Sequence, residues 1–142
     1  MIKIRHTGIV TKDIKKSLYF WNKIFKFKIN KDLNEKGKTL DKVLKHRNVK
    51  VRTLKLKDDF GNLIELLYFK SPKAIDQNKY FTNSKGITHL SVTVKNINYI
   101  YKKYKKKIKF NSKPLLSEDK KVLMTYCRTP EGCFLELVQE LK

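Results

Sequence analysis

IRHTGIVTKDI (residues 4–14) and ITHLSVTVKNI (residues 87–97) decide the fold, because they are one pattern written twice. Each begins with an isoleucine two places before a histidine, His6 or His89. An alternating apolar segment follows, then a turn residue, then a second isoleucine, Ile14 or Ile97. Alternation marks a strand, and the residue before that last isoleucine (Asp13, Asn96) suits a helix N-cap. A second repeated pair lies downstream: GNLIELLYF (residues 61–69) around Glu65 and GCFLELVQE (residues 132–140) around Glu136. In each a glycine stands four residues before the glutamate. The chain therefore reads as two copies of one unit, each carrying one histidine and one glutamate.

Working outward, each copy has the order strand, helix, strand, strand, strand. In the first, residues 3–11 form a strand, and Ile14, Leu18, Trp21 and Phe25 recur at helical spacing over 14–25. A short strand is expected at 26–31, then a polar, irregular stretch over 32–48 with one short helix near 39–45. Strands follow at 49–57 and 63–69, joined by the turn Asp58–Asn62. Residues 71–85 read as a linker. In the second copy, strands are expected at 88–95, 121–128 and 134–139. A helix starts at Ile97, with lysines (Lys102, Lys103, Lys105, Lys106, Lys107) on its outer face. A short extended piece at 110–113 and a loop at 114–120 follow it. The stretch from His6 to Glu65 exceeds that from His89 to Glu136, and the surplus falls most naturally in 32–48. We expect one domain over 1–142, with modules of about 1–70 and 86–142.

The two glutamates sit inside apolar runs (LIELL, FLELV), where an unpaired carboxylate is costly to bury. A metal ion or an open cleft removes that cost. If the two units are related by a pseudo-twofold axis, His6, Glu65, His89 and Glu136 would point at one spot. Imidazole and carboxylate suit a divalent ion such as Zn, Ni, Co, Fe or Mn.

The net charge of +21 comes from 34 basic and 13 acidic residues. Lysine supplies 30 of the basic side chains and arginine only 4. Dedicated readers of phosphates and bases favour arginine's planar fork. A lysine-, isoleucine- and asparagine-rich chain fits an AT-rich genome, so nucleic acid is not the expected partner. No apolar run approaches the ~20 residues of a membrane span. The chain enters a strand-like segment at once, which reads as no signal peptide, and two cysteines make no disulfide framework. The expectation is a cytoplasmic protein. His46 reads as solvated, Trp21 as core, and Cys127 as lacking a base for a nucleophilic role.

HTGIVTKDIKKSLYFWNKIF (6–25), GNLIELL (61–67), GITHLSVTVKNI (86–97) and EGCFLELV (131–138) together resemble the glyoxalase/vicinal oxygen chelate superfamily, over essentially the whole chain. The resemblance implies an α+β fold: two βαβββ modules in tandem forming an open, cup-shaped mixed sheet with helices outside. It implies a divalent metal held by His6, Glu65, His89 and Glu136. It also implies proton abstraction next to a metal-bound oxygen of a small carbonyl or thioester, with Glu136 as first choice for the base and Glu65 as its partner. Glyoxalase I-like isomerase/lyase chemistry leads. A methylmalonyl-CoA epimerase-like activity, a ligand-sequestering resistance protein and a small ring-cleaving dioxygenase are the alternatives. Arg52 is a candidate contact for a small anionic substrate, and Tyr68 and Tyr126 are candidate hydrogen-bond donors to it. By analogy the chain pairs as a homodimer.

Overall fold

The computed structural model describes residues 1–77 and 79–142, and they form two compact units, Met1–Asp76 and Gln77–Lys142. The boundary falls inside the segment read as a linker. Asn78, in that segment, lies outside the described residues.

The first unit contains β1 (Thr7–Val10), α1 (Ile14–Leu18), β2 (Lys28–Lys36), α2 (Lys38–Leu44), β3 (Lys50–Lys57) and β4 (Leu63–Ser71). Its sheet has the order β1-β4-β3-β2. β1 runs parallel to β4, and the other neighbours are antiparallel. The second unit repeats this plan with β5 (His89–Thr93), α3 (Ile97–Tyr104), β6 (Leu115–Leu116), β7 (Val122–Arg128) and β8 (Phe134–Glu140). Its sheet order is β5-β8-β7-β6, again with only the first pair parallel. These are tandem βαβββ modules, as the repeat implies. α2 has no counterpart in the second unit, so the surplus length does lie in 32–48.

Both expected caps form. The Asp13 carboxylate accepts from the Lys16 amide at 3.0 Å, and the Asn96 side-chain oxygen accepts from the Tyr99 amide at 2.9 Å. Each satisfies an amide that has no partner within its helix. Asp13→Ala should lower stability by about 1 kcal/mol, read as a shift in the urea midpoint at unchanged slope.

The helix after Asp13 departs from the 3.6-residue reading. After Leu18 the chain widens into a π-helical segment, Tyr19–Ile24, with the Phe25 amide donating to the Phe20 carbonyl. The wider turn lets Phe20 (3% exposed) and Trp21 (0% exposed) both face inward. Trp21 meets Phe20 and Phe27 edge-on, with ring centroids 5.1 and 5.7 Å away. Leu54, Leu56, Ile64 and Leu66 are buried with them. The second unit buries Ile97, Leu135, Leu137 and Cys127 in the same way.

Gly61 and Gly132, the glycines before the two glutamates, close matched turns. Their φ angles are +90° and +91°, a left-handed conformation that a Cβ would strain. The Asp58 amide donates to the Asn62 carbonyl, and the Thr129 amide to the Cys133 carbonyl. The two β-hairpins are therefore closed by turns of the same length.

The stretch read as irregular is a correction. β2 continues to Lys36, as an edge strand exposed along its whole length. With neither face buried, its sequence KINKDLNEK has no reason to alternate.

Candidate metal centre

The parallel strand pairs place each histidine beside its glutamate by one rule. In the first unit Gly8 pairs with Glu65, and His6 stands two residues earlier. In the second, Ser91 pairs with Glu136, and His89 stands two residues earlier. A spacing of two keeps a side chain on one face of the sheet. The imidazoles meet the carboxylates on that face: His6 Nδ1 lies 3.6 Å from Glu65 Oε2, and His89 Nε2 lies 3.7 Å from Glu136 Oε2. Glu65 and Glu136 are only 13% and 19% exposed.

These separations are too long for hydrogen bonds. Two ligands held at ~2.0–2.2 Å from a tetrahedral ion would stand about 3.4 Å apart, close to what is seen. His6 Nδ1 is buried and has no hydrogen-bond partner, a state that normally costs stability and that a bound cation would relieve. His89 Nδ1 lies 2.9 Å from Thr88 Oγ1, which fixes the ring while Nε2 faces Glu136. Each pair thus fits a divalent cation by donor type and spacing. Among the described residues no group of three or more His, Cys, Asp or Glu is gathered that could hold a metal ion, so each unit by itself presents a pair of candidate ligands.

The antiparallel partners of the glutamates differ. Tyr126 pairs with Glu136, and Lys55 with Glu65. Tyr126, a predicted site residue, stands against His89 with ring centroids 5.2 Å apart and planes at 71°. Burial first, then the negative charge of Glu136 and a hydrogen bond to it, push the Tyr126 hydroxyl above the usual phenol range, so it stays protonated near neutrality. Lys55, missed in the sequence, places Nζ 3.4 Å from Glu65 Oε2.

Arg52 and Tyr68 are not brought to this face. They pair with each other across β3 and β4, at odd spacing from Lys55 and Glu65 respectively. Their parity is that of Leu54, Leu56, Ile64 and Leu66, the buried residues behind the sheet. The Arg52 guanidinium instead grips Asp32 through two hydrogen bonds of 3.0 and 2.9 Å. Those bonds hold the Asp32 carboxyl below the usual carboxylate range, against the opposing effect of desolvation. Cys127 is fully buried, and burial pushes its thiol up to about 12, which removes it as a nucleophile.

The sequence profile of the Glyoxalase/Bleomycin resistance protein/Dioxygenase superfamily matches residues 3–137, and the chain belongs to that superfamily. No curated protein matches it. Among solved structures, a glyoxalase family protein from Bacillus cereus superposes with a TM-score of 0.90 at 19% identity, covering 100% of this chain and 96% of that one. Glyoxalase I from Leishmania major, described as trypanothione-dependent, gives 0.64 at 15% identity, with coverage of 99% and 88%. Glyoxalase I from Zea mays gives 0.66 at 16% identity, with this chain spanning 45% of that longer one. At these identities the likeness shows the fold. No described helix is long and apolar enough to cross a membrane.

Proposed function

We propose that the chain is a metal-dependent isomerase or lyase of the glyoxalase I-like type, acting on a small, anionic carbonyl or thioester substrate. In this reading His6, Glu65, His89 and Glu136 form one ligand set for a divalent ion (Zn, Ni, Co, Fe or Mn). The observation that carries it is the repeated register: the same His–Glu pair, on the same face, at the same strand positions in both units. When bound, the ion would supply Lewis acidity toward a substrate oxygen.

Glu136 is the base. Its carboxylate removes the proton from the carbon next to the carbonyl and returns it at the neighbouring position; for inversion at the same carbon, Glu65 as its partner would deliver a proton from the other face while Glu136 keeps the one it took. Tyr126 remains a neutral hydroxyl beside it, so it can orient the carboxylate without cancelling its charge. His89 limits where Oε2 of Glu136 can swing. A cytoplasmic homodimer is the assembly this reading expects, by the superfamily resemblance.

The test is solvent-deuterium incorporation. Purified protein reconstituted separately with each metal is incubated in D2O with the hemithioacetal of methylglyoxal and a thiol, and with an α-branched acyl thioester. Deuterium at the carbon next to the carbonyl in either substrate is the expected result. Absence of exchange with every metal in both substrates would remove the proposal.

A further inference from the structure

Glu65 and Glu136 are equivalent in the repeat but not in their surroundings. The Lys55 ammonium and the His6 imidazole approach the same carboxylate oxygen, Oε2 of Glu65, at 3.4 and 3.6 Å. At the matching position beside Glu136 stands the neutral hydroxyl of Tyr126. Lys55 is drawn inward: its side chain is 20% exposed. Its other cross-strand neighbour is Lys31, and like charges directly opposite repel. Lys57 has the same parity two residues along but is exposed, and Lys55 is the lysine that reaches the Glu65 carboxylate.

We propose that Lys55 is a built-in competitor of the divalent ion for Glu65. Its ammonium holds the carboxylate in the metal-free chain and must swing away when the cation takes Oε2. The competition makes the first unit's pair the weaker half of the ligand set, whereas among the described residues no lysine or arginine bridges the Glu136 carboxylate of the second unit's pair. This rests on the four-ligand reading above and adds to it an element that sets metal affinity.

The experiment is calorimetric titration of Co2+ into wild-type protein and into Lys55→Met, Lys55→Arg and Lys57→Met, at one pH and ionic strength. Methionine keeps the length and packing of the stem and removes the charge, and near-ultraviolet circular dichroism checks that the fold is intact. Lys55→Met should bind Co2+ tighter by roughly tenfold or more. Lys55→Arg should stay near wild type. Lys57→Met, which removes the same net charge without the contact to Glu65, should change affinity by less than about twofold. Adding Glu65→Gln to Lys55→Met should erase the gain. Equal effects of Lys55→Met and Lys57→Met, or weaker binding by Lys55→Met, would overturn the proposal. Binding by Lys55→Met alone, with none by wild type, would support the competition while sinking the four-ligand reading of the native protein. Binding by neither would overturn both.

Discussion

Glu136→Gln should lower the rate of deuterium incorporation by ~10²–10⁴ while leaving the fold in place. Glutamine preserves the shape and one oxygen, and Leu135 and Leu137, which point to the opposite, buried face of the strand, are untouched. It cannot accept a proton from carbon. Glu65→Gln should cost less in turnover and more in metal affinity, because Glu65 is the carboxylate already paired with a cation. A Glu136→Gln protein that exchanges at the wild-type rate would take the base away from this residue.

The largest stability effect should come from Trp21→Ala. The indole is fully buried and ringed by Phe20, Phe25 and Phe27. Truncation leaves a cavity that the π-helical segment cannot close without losing its own register, so about 3–5 kcal/mol should be lost. That is a large share of the ~5–15 kcal/mol that keeps a domain folded. Thermal unfolding followed by near-ultraviolet circular dichroism reads it. Trp21→Phe, which keeps an aromatic ring in place, should lose clearly less. A midpoint for Trp21→Ala within a degree or two of wild type would contradict this account of the first unit's core.

What the sequence disclosed and what it hid have separate physical causes. The His–Glu repeat was visible because its local settings are kept in both copies: each histidine stands two residues before the strand partner of its glutamate, and a glycine stands four residues before each glutamate. Asp13 and Asn96 were visible as caps because their chemistry is local. The length of β2 was invisible because an edge strand exposed on both faces carries no alternation. The π-helical segment was invisible because Leu18, Trp21 and Phe25 fit an α-helical stripe well enough to hide the extra residue. Lys55 could have been found. Folding the hairpin about the Asp58–Asn62 turn sets residue 55 opposite residue 65, as folding about Thr129–Cys133 sets Tyr126 opposite Glu136. The same parity argument, applied to Tyr68 three residues beyond Glu65, places its side chain on the other face.

The central claim is that two histidines and two glutamates, one of each from either unit, serve a single ion. Metal content per chain measures it most directly, by elemental analysis after saturation with Co2+ and removal of free ion. The account predicts one tightly held ion per chain in the wild type, lost in each of His6→Ala, Glu65→Ala, His89→Ala and Glu136→Ala. Retention of that ion by any of the four variants would contradict it, as would two ions per chain, each lost only when its own His–Glu pair is broken.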